Sequence, residues 1–485
     1  MKTFRISAII AAFLLSTLPS TSSADNIEAC KVPDTKNSAV SLGFPVKKER
    51  LNYISKPRVL VIPFHPSDAP SFSLSSEEKA TFLQSAKDIY KLSSGSSQIE
   101  FVFNPTVKLA ITSQDMDSFK IFVRETYLRD FENDQFGFAL KFIQDNDPAI
   151  DYTGIDSVIL YGFSFYRYQE IASALQFTSD MNFVGNSIKR KDGKPWFAPI
   201  VTDEKLISNV VLMYNRNELY VLTHELLHNY GLTDLYGAPN TPGLLSRMAD
   251  GRSSDTLLTY EKWVLGWHSD KDVTCVSGSN SEMINKFVFD VRNKEQIALV
   301  RPNQSPYMYI LETAIVRNDF LLSFYKLTND ARPPIEYYSY GSPKSTAGVN
   351  LADLNTIATI YKGDQFSVFI HSIKDSLATV YVYPNSASTS SEVLKLQAEA
   401  QAEAKIAIEL RAKQEAEAKA AAEFKAKQEA EAKAAAELKA KQEAEAAALA
   451  AAAKSKKTTI TCVKGKLTKK VTAVKPKCPA GYKRK

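Results

Sequence analysis

The stretch Val221 to Tyr236 reads VLTHELLHNYGLTDLY. It contains His224, Glu225 and His228 in the order His-Glu-x-x-His. A spacing of four places both imidazoles on one face of a helix, one turn apart. Two rings so placed can share one zinc ion. Glu225 then lies beside the metal without ligating it, where it takes a proton from water activated there. Gly231 stands three residues after His228, and Asp234 six after it. A glycine ends a helix through a left-handed turn and sends the chain back. Asp234 would then complete a three-ligand site with one open position. Glu261 is the alternative third ligand; otherwise it reads as a surface helix residue paired with a cation. The chain has only five histidines, so a chance His-Glu-x-x-His is rare, and this reading outweighs two incidental histidines on a helix. His65, after the strand-like VIPFH, reads as a loop-structural residue, and His268 and His371 have no motif around them.

The string His-Glu-x-x-His-x-x-Gly-x-x-Asp resembles the metzincin zinc signature, with Asp where many members have His. HELLHNYGLTDLY is similar to the immune inhibitor A family of secreted bacterial metallopeptidases. SRMADG (Ser246 to Gly251) resembles that family's methionine turn, and YEKWVLGW (Tyr260 to Trp267) the end of its catalytic region. Ser94 to Ile99 and Asp151 to Leu160 match more loosely, and the likeness spans roughly residues 55 to 315. The resemblance implies an α+β, metzincin-like catalytic domain with a mixed twisted sheet covered by helices. It implies zinc held by His224 and His228, Glu225 as general base, Met248 as the turn methionine and Gly231 as the structural glycine. Hydrolysis of peptide bonds in protein or peptide substrates follows, with a structural calcium as a second ion. Many metzincins have Tyr two residues after the turn methionine; here that position is Asp250, so a tyrosine helper is not evident.

Around this centre, Arg58 to Phe64, Ile99 to Leu109, Ser157 to Gly162 and Asn209 to Tyr214 read as buried strands. Helical stretches lie at Ser76 to Leu92 and Ser118 to Phe142. Short apolar strands alternating with helices give a sheet covered by helices, assigned to residues 25–270. Residues 271–385 alternate apolar and polar positions in short pieces from Phe287 to Tyr383, punctuated by Asn, Gly, Pro and Ser. They read as a small antiparallel β-rich domain. Trp263 and Trp267 read as core.

Residues 386–454 form an Ala/Glu/Lys-rich helical linker. Its segment 411–424 recurs nearly unchanged at 425–438, and Glu415/Lys419, Glu423/Lys427, Glu429/Lys433 and Glu437/Lys441 are spaced for helical ion pairs. Across the repeats, from residue 410 to 438, large apolar residues return only at Leu410, Phe424 and Leu438, too thin a stripe for an ordinary coiled-coil seam. A single semi-rigid helix of about 90 Å fits best. A frayed polar linker and an Ala-packed coiled coil are the alternatives.

Residues 1–24 read as a signal peptide: Lys2 and Arg5, an apolar run over Ile6 to Leu18, then the small residues Ser22, Ser23 and Ala24. The run falls short of the roughly 20 residues that span a bilayer. A secreted protein, with some association to the cell surface, is the resulting expectation. Four cysteines behind such a signal suit disulfides, and of the three pairings Cys30–Cys275 with Cys462–Cys478 is favoured, because the second closes a small loop in an isolated tail. Occupation of the zinc by Cys30 in a latent form is the less favoured role.

The net charge of +6 is segregated. Twelve Lys and Arg lie in residues 454–485, with no Asp or Glu, so the other 453 residues carry −6. The basic tail module, residues 455–485, points to an anionic cell-wall polymer or membrane surface as partner. Nucleic acid is not expected, because the body is acidic and the tail has Tyr482 as its only aromatic residue. The competing functional reading is a non-catalytic zinc-binding or cell-surface-binding protein with a helical stalk and a cationic anchor.

Overall fold

The computed structural model describes residues 27–485 apart from 36, 115–134, 163–171, 179–188, 191–192, 214–220, 237–241, 251–254, 291, 294, 304, 317–318, 330–333, 339–348, 352 and 354–355. The signal-like segment 1–24 lies outside the described residues, as do most of the expected helix 118–142 and Tyr214. The fold mixes helices with several sheets and ends in a long helix and a small sheet. Among the described residues no helix is long and apolar enough to cross a membrane.

The first sheet comprises β1 (Arg58–His65), β2 (Glu100–Phe103), β3 (Val107–Lys108), β4 (Ser157–Gly162), β5 (Ala172–Gln176) and β8 (Asn209–Met213), with β6 (Ile200–Val201) and β7 (Leu206–Ile207) pairing separately. Its order is β2-β1-β4-β8-β5, with β3 also on β1. All pairings are parallel except β5 on β8, which is antiparallel. The single strand expected over Ile99 to Leu109 is two, β2 and β3, separated by Asn104, Pro105 and Thr106. Proline has no N–H for a ladder, which interrupts the pairing there.

Strand alternation buries both faces of this sheet. Val59, Val61, Ile159, Tyr161, Val211 and Met213 point to one side, against Phe82, Ile89, Leu226 and Tyr230. Leu60, Ile62, Val158, Leu160, Val210 and Leu212 point to the other, against Phe138 and Phe142. Helix Ser76–Leu92 begins with a capping box made by Ser75 and Glu78. Helix Leu222–Tyr230 packs on β5, β8 and helix Ser76–Leu92, and every one of its residues is buried.

Beyond residue 270 the chain is β-rich. The strands are β9 (Val273–Ser277), β10 (Asn285–Asp290), β11 (Ile297–Arg301), β12 (Tyr307–Val316), β13 (Asp319–Thr328), β14 (Ile335–Tyr337), β15 (Val349–Asn350), β16 (Ile360–Lys362), β17 (Phe366–Lys374) and β18 (Leu377–Pro384). One sheet runs β14-β13-β12-β11-β9 with β15 on β13, and a second runs β10-β18-β17-β16. The expected antiparallel arrangement has one exception, since β9 pairs with β11 in parallel. Ile310, Tyr325 and Leu327 from the first of these sheets belong to the same core cluster as Leu226, Tyr260 and Trp263. Trp267 packs partly buried against that core. The disulfide Cys30–Cys275 ties the short helix Ile27–Cys30 to β9.

Helix Ser391–Ser455 is 65 residues long. Its first turns are docked: Val393 and Ala400 are buried with Phe369 and Tyr383, and Lys374 pairs with Glu403 at 2.8 Å. The chain divides into two compact units, residues 1–405 and 406–485. In the second unit the helix is exposed along its length, with Leu410, Phe424 and Leu438 each more than half exposed. Its ion pairs include Arg411–Glu415 at 2.9 Å, with the cation first, the reverse of the order read from the repeat. The unit ends in three antiparallel strands, β19 (Thr458–Lys464), β20 (Leu467–Ala473) and β21 (Lys483–Arg484), closed by Cys462–Cys478.

Candidate metal centre

Helix Leu222–Tyr230 brings His224 and His228 onto one side, with ring centroids 4.9 Å apart and planes at 89°. The helix ends at Gly231, which has φ +119°. A Cβ there would stand 2.5 Å from Val46 Cγ1, so both the conformation and the space call for glycine. The reversal sets the Leu232 carbonyl against His228 Nδ1 at 2.7 Å and returns Asp234 to the two rings. Asp234 Oδ1 lies 3.1 Å from His224 Nε2 and 3.2 Å from His228 Nε2.

The ring nitrogens are sorted by their partners. His224 Nδ1 faces the Arg247 carbonyl at 2.9 Å, and His228 Nδ1 faces that of Leu232. A carbonyl only accepts, so each Nδ1 carries a proton and each Nε2 turns a lone pair toward Asp234. Two lone pairs converging on a carboxylate oxygen need a positive charge between them. In the metal-free protein a proton on His228 meets that need. Burial lowers the His228 pKa, but the Asp234 charge outweighs it and raises the ring to about 9. Burial likewise raises the Asp234 carboxyl, and the two histidines outweigh it and hold the group well below the usual carboxylate range.

A divalent ion satisfies the same need. The ligand atoms of His224, His228 and Asp234 all lie within 4.8 Å of one another, and among the described residues they form the one such group of three. Ligands about 2.0–2.1 Å from a tetrahedral zinc stand about 3.3 Å apart, close to the two separations found. The donor set therefore fits zinc, and the backbone carbonyls behind both imidazoles are the usual supports of such ligands. Cys30 is oxidised to Cys275 and offers no thiolate to the site.

Glu225 is buried beside this group. Burial raises its pKa, while His228 and His224 pull it down and a hydrogen bond from the Ala174 backbone does the same. Ala174 belongs to β5, the last strand of the sheet order among the described residues.

Glu261 is neither near the three ligand atoms nor on the surface. It is fully buried, and its Oε2 accepts from Ser246 Oγ at 2.7 Å and from the Leu258 N–H at 2.8 Å. Ser246 Oγ also accepts from the Met248 N–H at 3.0 Å, and the Leu235 N–H donates to the Met248 carbonyl at 3.0 Å. Met248 is itself fully buried in the core beneath the site. Glu261 thus braces the turn that presents the Arg247 carbonyl to His224. Sequence reasoning missed this role, and it missed Tyr236, whose half-exposed ring stacks on His224 at 5.9 Å. The two-residue step from Asp234 is the only signal for Tyr236. His65 is buried, with Nδ1 2.9 Å from the Pro66 carbonyl.

No family model matches the chain, and no curated protein sequence matches it. Among solved structures it is similar to metalloproteinase-II from Bacteroides fragilis, at 14% identity and a TM-score of 0.23. The match covers 48% of this chain and 58% of the other, so the chain spans little more than half the length of that protein.

Proposed function

We propose that the chain is a secreted, zinc-dependent endopeptidase of the metzincin type, related to the immune inhibitor A family, with residues 25–270 as its catalytic domain. One observation carries the reading: two imidazole Nε2 lone pairs and one carboxylate oxygen converge, with both Nδ1 positions already used by backbone carbonyls. His224, His228 and Asp234 would hold the metal. Zinc there supplies Lewis acidity toward a carbonyl oxygen and toward water.

The remaining work falls to this chain's own groups. Glu225, made more basic by burial, accepts a proton from water and passes it to the leaving amine. The Ala174 backbone holds the Glu225 carboxylate in place. Among the described residues the outer edge of β5 has no strand beside it, so an extended peptide can pair there, next to Glu225. Residues 1–24 act as the export signal in this reading, and the two disulfides are compatible with an oxidising compartment.

Metal analysis of the purified protein alongside casein digestion, with and without chelator, tests the proposal. One zinc per chain and chelator-sensitive cleavage support it. Zinc without cleavage would leave the non-catalytic zinc-binding alternative.

A further inference from the structure

The C-terminal module carries a charge pattern that peptide hydrolysis does not use. Residues 454–485 hold twelve Lys and Arg and no carboxylate side chain. The strands fix several of these cations in register. Lys469 on β20 and Arg484 on β21 both pair with Cys462 of β19, one from each side. Lys470 pairs with Thr461, and Lys483 with Val463. Successive residues of a strand face opposite ways. Lys464, Lys469 and Arg484 therefore share the face of Ile460 and the buried Cys462. Lys470 and Lys483 share the opposite face with Thr459, Thr461 and Thr472, where the Thr459 and Thr472 hydroxyls bond at 2.7 Å. All five cationic side chains are exposed.

We propose that this module binds a flexible, phosphate-bearing linear polymer that wraps both faces of the sheet. Three features select this partner. Lys469 and Arg484 sit two strand spacings apart, about 10 Å, a span that successive charged groups of one polymer can cover. Cations on both faces suit a chain that can wrap, whereas a flat membrane meets one face at a time. Leu467 and Val474 are the exposed large apolar residues of the module, too few for a membrane-inserting face. Base stacking adds little here, since Tyr482 is the only aromatic residue of the module, so binding rests on the phosphate backbone.

The test is isothermal titration of the full chain with inorganic polyphosphate, beside cosedimentation with phosphatidylglycerol vesicles. Polyphosphate binds, and for four contacted charges the affinity falls about 50-fold between 50 and 200 mM salt. The pairs Lys469→Gln/Arg484→Gln and Lys470→Gln/Lys483→Gln each weaken binding roughly 30-fold. Lys470→Arg/Lys483→Arg retains it, which separates loss of charge from loss of fold. No binding to polyphosphate, or undiminished binding by the fourfold Gln variant, overturns the proposal. So does tighter binding to vesicles with only one of the two pairs mattering, which would make the partner a membrane.

Discussion

The hydroxyl of Ser246 donates to Oε2 of Glu261 across 2.7 Å, with both residues fully buried. The bond joins helix Thr259–Val264 to the Met248 turn, and so reaches His224 through the Arg247 carbonyl.

Burial, opposed by the bonds from Ser246 and Leu258, raises the Glu261 pKa from 4.5 to about 7. The folded protein thus keeps a proton that the unfolded chain has lost at the same pH. The stabilisation is complete below about pH 4.5 and is lost as pH rises through 7. Calorimetry on wild type and Glu261→Gln between pH 5 and pH 8 reads this directly. The wild-type Tm falls more steeply over that range than the variant's. Parallel curves would show that Glu261 does not titrate there.

The proposed third ligand, Asp234, can be separated from Glu261. Asp234→Asn keeps the side chain's size and removes the charge that the two Nε2 atoms face. Zinc affinity should drop by more than the roughly 10–100-fold typical of an outer-shell change. Glu261→Gln keeps one zinc per chain. Competition with a chelator measures both, and the reverse ranking would make Glu261 the ligand.

Gly231→Ala places a side chain at φ +119° and within 2.5 Å of Val46 Cγ1. The strain alone costs about 1–3 kcal/mol. The same turn positions the Leu232 carbonyl and Asp234, so thermal stability and zinc affinity fall together. A Tm equal to wild type would contradict the strained-turn reading.

The Cys30–Cys275 bridge joins residues 245 apart. Removing it with Cys30→Ala/Cys275→Ala should cost about 2–5 kcal/mol, chiefly through the freed unfolded chain. Urea denaturation measures the loss. An unchanged midpoint would mean that the docked N-terminal segment alone holds β9.

The geometry of the candidate metal centre was legible because helix periodicity and one glycine determine it. Two histidines four apart share a face, and Gly231 turns Asp234 back. Glu261 was misread because its partners, Ser246 and the Leu258 N–H, come from a turn whose position no local pattern encodes. The same limit applies to β13, which the apolar alternation does not mark as a separate strand. Five successive residues from Leu321 to Tyr325 are buried, so the polar–apolar alternation of a half-exposed strand is missing. β9 was overlooked because its five residues are all half-buried, and its parallel partner β11 lies twenty residues further on. The first sheet, by contrast, announced β1, β4 and β8 through unbroken apolar runs, as strands covered on both faces do.

The most direct test compares wild type with Glu225→Gln for bound zinc and for casein cleavage in the same preparations. Both should carry one zinc per chain, while the variant loses about 100- to 10,000-fold in cleavage rate. A zinc-free wild type, or a variant that cleaves as fast as wild type, would contradict a zinc peptidase with Glu225 as its base.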